Sequence, residues 1–123
     1  MAITACKKDD DSTSGPTPDT SAPVITVYTP NEGDTLSLST VIPLSYQVTD
    51  NVSVRILKVL TTNPVTNDTI NYSEEQYDAV FLNQSTALSL PGLSISTPVQ
   101  LSITAIDGAG NTANKRITFQ VIP

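Results

Sequence analysis

Oxygen-bearing side chains beside two turn-forming segments are the residues of this chain best suited to chemistry. Asp50 and Asn51 follow one run of alternating apolar residues, and Asp107 and Asn111 follow another. Calcium binds six to eight oxygen ligands, mainly carboxylates and carbonyls, so these four residues are candidate calcium ligands. Asp and Asn also cap turns by accepting hydrogen bonds from nearby backbone amides. The residues alone leave both interpretations open.

A second group of polar side chains lies between positions 72 and 78, where we interpret the segment that carries Glu74, Glu75 and Asp78 as a polar loop flanked by Tyr72 and Tyr77. Paired carboxylates can hydrolyse glycosides when rigid elements hold them roughly 5–10 Å apart. A polar loop offers nothing to desolvate such groups and raise their pKa. Exposed tyrosines, in contrast, suit contacts with a partner. The sequence therefore leaves a binding surface or ordinary packing as readings of Tyr72, Glu74, Glu75, Tyr77 and Asp78.

The composition excludes several classes of function. The chain has no His and one Cys, which rules out a His-based triad, a Cys-cluster zinc site and an intramolecular disulfide. Six basic and twelve acidic residues give a formal charge of −6, which disfavours a nucleic-acid partner. No apolar run approaches the roughly 20 residues of a membrane-spanning helix. We therefore expect a protein that is not an enzyme, has no nucleic-acid partner, and needs no cofactor other than calcium.

The chain divides into two parts of different composition. Residues 1–22 contain no large apolar residue after Cys6 and consist mainly of Lys, Asp, Ser, Thr, Gly and Pro. Such a segment cannot bury enough surface to offset its conformational entropy, so we expect a disordered, acidic linker. Residues 23–123 alternate apolar and polar residues between turn signals, which indicates a folded domain.

The alternating runs of this domain predict eight short strands, at 24–28, 42–48, 53–60, 69–72, 79–82, 87–90, 99–106 and 115–122. Mixed phase within 53–60 indicates a bulge or a strand covered on both faces. Tyr46 and Phe119 fall on inward phases, which predicts core positions. The count and spacing predict an all-β, immunoglobulin-like antiparallel sandwich of seven to eight strands, with a small barrel as the alternative. In that sandwich Asp50 and Asp107 lie at one pole, which the linker carrying Asp19 also meets.

The N-terminal segment resembles a known class of sequence. The residues ITAC at positions 3–6 resemble the lipobox of bacterial lipoproteins, and the following KKDDD resembles the export signal of surface lipoproteins in Bacteroidota-type bacteria. The resemblance implies that Cys6 is acylated and anchors the protein in the outer membrane, exposed at the cell surface. Five residues precede Cys6, fewer than a signal peptide needs, so the resemblance also implies a trimmed signal or a start farther upstream.

The domain is similar to the bacterial Ig-like and cadherin-like modules of surface proteins. The similarity rests on SAPVITVYTPNEGD, VTDN and LSITAIDGAGNTANKRITFQV, and the segment 105–111 resembles the hairpin between their last two strands. Cadherin-like modules place calcium ligands in these loops. Asp50 and Asp107 match one carboxylate in each motif, whereas Val52 stands where the first motif has a second acid.

Three tripeptides resemble the O-glycosylation acceptor motif of the same bacterial group. They are Asp11-Ser12-Thr13, Asp34-Thr35-Leu36 and Asp68-Thr69-Ile70. The resemblance implies Ser12, Thr35 and Thr69 as candidate modification sites.

These observations favour a non-catalytic cell-surface lipoprotein whose Ig-like domain acts as a binding, adhesion or spacer module. Its expected partners are the membrane, through Cys6, and a protein or glycan whose identity the sequence does not give. One alternative is a glycan-binding accessory protein of a polysaccharide-uptake system, although the lack of Trp argues against sugar stacking. The other alternative is a calcium-dependent, cadherin-like adhesion module.

Overall fold

The fold is all-β in the computed structural model, which describes residues 19–91, 93 and 95–123. Its strands are β1 (Val24–Thr29), β2 (Thr35–Ser37), β3 (Pro43–Asn63), β4 (Asp68–Ala87), β5 (Thr97–Asp107) and β6 (Thr112–Ile122). The described residues include no helix that is long and apolar enough to cross a membrane. The predictions for Cys6 and Ser12 concern positions outside the described residues.

The strands form one curled, mixed sheet in the order β1-β3-β5-β6-β2, with β4 paired to β3. All pairings are antiparallel except that of β2 with β6, which is parallel. The first half of β3 lies between β1 and the second half of β4, while its second half lies between β5 and the first half of β4. The sheet thus curls into two layers, and β3 and β4 each pass from one layer to the other.

The change of layer in β3 occurs where the pairing register is irregular. Register shifts separate Thr49 from Val54 and Val54 from Ile56. Before this point even-numbered residues such as Tyr46 and Val48 are buried, and after it odd-numbered residues such as Leu57 are buried. An extra residue in a strand bends it and reverses which face its side chains occupy. The bulge predicted from the mixed phase of 53–60 is therefore confirmed.

The hydrophobic core lies between the two layers and draws on both. Strand β5 alternates buried and half-buried residues along its whole length. Phe119 and Tyr46 are buried, as the inward phases predicted. Burial of each large apolar side chain contributes roughly 1.5–3 kcal/mol. The fully assembled core comprises Ile42, Leu44, Tyr46, Val48, Val54, Leu57, Leu82, Val99, Leu101, Ile103, Ala105, Ile117, Phe119 and Val121.

The predicted sandwich is confirmed, but its strands are longer and fewer than predicted. The predicted strands 42–48 and 53–60 both belong to β3. The predicted strands 69–72 and 79–82 both belong to β4. Of the predicted strand 87–90, only Ala87 belongs to a strand. Strand β2, with three residues, was not predicted because so short a pairing leaves no alternation to detect.

The prediction of a polar loop at 72–78 is wrong, because these residues lie within β4. The strand pairs with β3 on one side, and most of its side chains are exposed. An edge strand with little burial does not need apolar residues at alternate positions. The charged and polar composition that suggested a loop is thus that of an exposed edge.

Candidate functional site

Three aspartates from distant parts of the sequence meet at one pole of the sandwich. Asp19 precedes β1, Asp50 lies where β3 changes layer, and Asp107 ends β5. The first half of β3 and the whole of β5 run toward this end, which we call the linker pole. One carboxylate oxygen from each of the three lies within 4.8 Å of the other two. The prediction that Asp50 and Asp107 share a pole with the linker is confirmed.

Asp50 and Asp107 each use one carboxylate oxygen to cap the local turn. Asp50 Oδ2 accepts hydrogen bonds from the backbone N–H groups of Val52 and Ser53, at 3.0 and 2.9 Å. Asp107 Oδ1 accepts hydrogen bonds at 2.9 and 2.8 Å from the backbone N–H groups two and four positions ahead. The turn-capping interpretation therefore holds for both residues, and it leaves each with a second oxygen.

The second oxygens at the linker pole are short of donors. Asp19 Oδ1 accepts a hydrogen bond from the backbone N–H of Ser21 at 3.0 Å, as the other two aspartates do in their turns. Asp19 Oδ2 and Asp50 Oδ1 are buried and have no hydrogen-bond partner among the described residues. A buried polar oxygen without a partner costs roughly 1–3 kcal/mol, and more when it carries charge. A positively charged or hydrogen-bond-donating group next to these two oxygens would therefore stabilise the cluster.

Asn111 links the entering segment to the last hairpin. Its Nδ2 donates to Asp107 Oδ2 and to the backbone carbonyl of Asp19, both at 2.9 Å. Burial tends to raise the pKa of Asp107, but hydrogen bonds from the side chain and backbone of Asn111 outweigh it and lower the pKa overall. Asp107 is 3% exposed and is ionised at neutral pH. Asn51, the fourth predicted ligand, is exposed beside Asp50.

A cavity of about 250 Å³ opens on a different side of the sandwich, between the two halves of β4. We call this side the open flank. Leu44, Leu57 and Val59 line the cavity with apolar groups, and Tyr46 and Tyr77 add aromatic rings. Its remaining lining is Thr61, Asn71, Ser73, Glu75, Gln84, Thr86, Ala87, Leu88 and Ser89.

Two tyrosines and one carboxylate give the cavity its polar character. Tyr77 donates its hydroxyl hydrogen to Glu75 Oε1 at 2.8 Å. Burial and this hydrogen bond raise the pKa of Tyr77. Tyr46 is 4% exposed, and its hydroxyl forms no hydrogen bond within the described part of the chain. Burial, with smaller effects from nearby Tyr77 and Glu75, raises the pKa of Tyr46 to about 12.

The five residues predicted between 72 and 78 do not form one surface. Successive side chains of a strand point to opposite faces. Glu75 and Tyr77 line the cavity, whereas Tyr72 donates to Glu74 Oε1 at 2.7 Å on the exposed strand. This hydrogen bond raises the pKa of Tyr72.

Asp78, the last member of the predicted group, contacts the linker-pole side instead. Its Oδ1 accepts a hydrogen bond from Ser53 Oγ at 2.7 Å and lies 3.7 Å from Arg55 Nε. The backbone N–H of Ser53 is also one of the two donors that Asp50 Oδ2 caps. Asp78 therefore supports the turn at the linker pole and takes no part in the cavity.

Tyr46 is the cavity residue that sequence reasoning assigned only to the core. Its residue type could have indicated a cavity, because a tyrosine at an inward position carries a hydroxyl that needs a hydrogen-bond partner, whereas leucine and phenylalanine do not. Gln84 and Thr86 gave no such signal, since their place in the cavity depends on the change of layer within β4. Thr35 and Thr69, the described candidates for glycosylation, are both exposed.

Comparisons with known proteins inform the fold. No protein-family model and no curated protein matches the chain. A solved structure of wild-type OgpA from Akkermansia muciniphila is similar, with a TM-score of 0.56 and 19% sequence identity. The similarity covers 85% of this chain but 31% of that one. At this identity the likeness extends to the architecture of the domain.

Proposed function

We propose that this chain is a non-catalytic cell-surface module, used for binding or as a spacer, whose linker pole binds calcium. The observation that carries the proposal is the meeting of Asp19, Asp50 and Asp107, with two buried carboxylate oxygens that lack partners in the part of the chain that the structure describes. Calcium supplies what those oxygens lack, because it accepts several oxygen ligands and compensates negative charge.

The geometry of the cluster suits a calcium ion. Calcium–oxygen distances are 2.3–2.6 Å, so ligands on opposite sides of the ion lie about 4.6–5.2 Å apart. The three carboxylate oxygens, all within 4.8 Å of one another, are close enough together to contact one such ion. Within the described residues no Lys or Arg forms an ion pair with these three aspartates, so their charges have no protein counterion there. Water and nearby backbone carbonyls would complete the coordination.

Calcium at this point would fix how the linker enters the domain. Asp19 lies at the end of the linker, and Asn111 already holds its carbonyl against the last hairpin. An ion shared with Asp50 and Asp107 would join that segment to both layers of the sandwich. The domain would then project from the surface in a defined direction, which suits an adhesion or spacer module.

Attachment to the bacterial outer membrane through an acylated Cys6 is part of the proposal. It rests on the lipobox-like residues 3–6 and on the polar, charged segment that follows them. Acyl chains contribute about 0.8 kcal/mol per buried CH₂, so several chains anchor a protein firmly. The native protein is expected in the outer-membrane fraction with lipid on Cys6, and Cys6→Ser is expected to release it. Recovery of native, unacylated protein in the soluble fraction would refute the anchor.

The calcium site is tested by thermal unfolding of the full chain in EDTA and across a calcium titration. Binding to the native state adds RT ln(1 + [L]/Kd), about 2.7 kcal/mol at 100 Kd, which raises the Tm by several degrees in a domain of this size. We expect Asp50→Asn to abolish the increase. Asp34→Asn is the matched control, because Asp34 Oδ2 caps a turn at the N–H of Asn31 away from the cluster. No increase at millimolar calcium, or an equal increase in Asp50→Asn, would refute the site.

A further inference from the structure

We propose that the cavity on the open flank binds a primary ammonium group on a short alkyl chain. A free alkylamine and the side chain of a lysine share this chemistry. The proposal is independent of calcium, because none of the three aspartates of the linker pole lines the cavity.

The size and floor of the cavity suit a short alkyl chain. Leu44, Leu57 and Val59 provide apolar surface on both layers. An apolar cavity of about 150 Å³ is large enough for benzene. The cavity here, at about 250 Å³, therefore has room for a four-carbon chain with its charged end.

The charge of the cavity selects a cation. Glu75 is its one acidic residue, and neither Lys nor Arg is among the residues that line it. The neighbouring Glu74 lies opposite Lys58 in the pairing of β4 with β3, whereas Glu75 lies opposite Leu57. Tyr77 occupies Glu75 Oε1, which leaves Oε2 available. A carboxylate forms its strongest hydrogen bonds with a cation that donates to it directly.

The hydroxyl of Tyr46 provides a second acceptor. Tyr46 is nine-tenths buried, lines the cavity, and donates to no group among the described residues. An ammonium group has three N–H donors and no acceptor. Glu75 and Tyr46 can each accept one of these hydrogen bonds, and Gln84, which lies opposite Tyr46 in the sheet, can accept a third. The rings of Tyr46 and Tyr77 add the attraction of aromatic faces for a cation.

The test is an NMR titration of the full, ¹⁵N-labelled chain with n-butylammonium chloride. 1-Butanol is the matched probe, with the same alkyl chain and no charge. We expect saturable shifts confined to the cavity residues, at millimolar affinity, with at least tenfold weaker binding of 1-butanol. A second titration with Nα-acetyl-lysine-N-methylamide, which represents a lysine side chain in a protein, distinguishes the two sources of the ammonium group. Tighter binding of this lysine derivative than of n-butylammonium indicates a protein partner, and weaker binding indicates a free amine; both results support the ammonium site.

Two matched pairs of variants locate the site. Glu75→Gln is expected to weaken n-butylammonium binding at least tenfold, and Glu74→Gln, which removes the same charge one residue away, is expected to leave it unchanged. Tyr46→Phe is expected to weaken binding several-fold, because it removes the hydroxyl and keeps the ring, whereas Tyr72→Phe is expected to have no effect. Each variant is compared with the parent by its amide spectrum, so that loss of the fold is recognised.

Four results would overturn the proposal. Equal binding of 1-butanol would show an apolar cavity without charge recognition. Binding of N-acetylglucosamine at the same residues, with n-butylammonium silent, would assign the cavity to a glycan. No saturable shift with n-butylammonium, or equal losses in Glu74→Gln and Glu75→Gln, would leave no specific ammonium site. Asp50→Asn is expected to retain amine binding, which separates this proposal from the calcium site.

Discussion

The linker pole and the open flank both hold carboxylates, but the acids of the pole are buried or half-buried whereas Glu75 of the flank is exposed. At the linker pole, three acids from distant segments are held by backbone N–H groups, and two of their oxygens are buried without a partner among the described residues. At the open flank, one acid stands beside leucine, valine and tyrosine side chains. Several fixed oxygens suit a compact divalent ion, whereas one oxygen pair above an apolar floor suits an organic cation.

The two regions also differ in what positions their acids. The aspartates owe their meeting to topology, because β3 changes layer, β5 ends and the linker enters at the same pole. Glu75 owes its position to strand alternation, since its neighbour Glu74 occupies the other face of β4. Loss of a hydrogen bond at the linker pole should therefore lower the stability of the fold. Loss of a hydrogen bond at the open flank should instead weaken ligand binding.

The largest expected difference between the regions is in stability. Asp107→Ala removes two backbone caps and the partner of Asn111, and we expect it to lower the free energy of unfolding by about 2–4 kcal/mol in EDTA. Glu75→Ala should change it by less than about 0.5 kcal/mol, as exposed substitutions usually do. Urea unfolding of both variants measures the difference. Equal losses would mean that the flank is as structural as the pole.

The two regions should lose stability at opposite ends of the pH scale. The pKa of Tyr46 is raised, so its contribution is present below pH 10 and lost as the pH rises toward about 12. The pKa of Asp107 is lowered, so its contribution is present above about pH 4 and lost as the pH falls through its native value. At about 1.4 kcal/mol per pKa unit, the rise of the Tyr46 pKa to about 12 corresponds to an alkaline loss of roughly 3 kcal/mol.

Variants of Tyr46 and Asp107 test which residue causes each loss of stability, with the free energy of unfolding measured from pH 2 to pH 12. Tyr46→Phe should reduce the alkaline loss and leave the acid limb unchanged, and Asp107→Asn should do the reverse. An alkaline limb unaffected by Tyr46→Phe would show that its hydroxyl is not the group responsible.

A smaller effect, opposite in sign with and without calcium, is expected at Asp50. Without calcium, Asp50→Asn removes one of three clustered negative charges and should stabilise the domain by about 0.5–1 kcal/mol. In saturating calcium the same variant should be less stable than the parent, since it binds the ion poorly. Calorimetry in EDTA and in calcium measures both arms. A variant less stable in both would show that Asp50 acts as a turn cap alone.

The parts predicted from sequence are those where alternation is uninterrupted. β5 and β6 show alternating apolar residues, so the positions of Leu101 and Phe119 followed directly. Interruptions of alternation after 42–48 and after 99–106 placed Asp50 and Asp107 at one pole, although β3 changes layer at Asp50 and does not end there. Which carboxylate oxygen of Asp50 and Asp107 the local turn occupies depends on backbone caps that no pattern of residue types specifies.

The cavity was harder to predict because it depends on where strands change layer. Tyr46 and Gln84 lie in one layer, and Leu57 and Glu75 lie in the other. The sequence shows a phase change in β3 but not the angle at which the two layers diverge. The pairing of Glu75 with Tyr77 follows from i, i+2 spacing in a strand, and it was missed because their segment was interpreted as a loop.

The parallel pairing of β2 with β6 has a mechanical consequence. Asp19 lies at the linker pole, and β6 begins there and ends at the opposite pole with Ile122. A pull between these two residues would slide β2 and β6 past each other in opposite directions. The residue pairs between the two strands would then be loaded at the same time and would not open one after another. These pairs are Thr35 with Gln120, Leu36 with Val121 and Ser37 with Ile122. A three-residue strand would thus act as the shear clamp of a tethered module, and we expect Leu36→Pro to lower the unfolding force in single-molecule stretching.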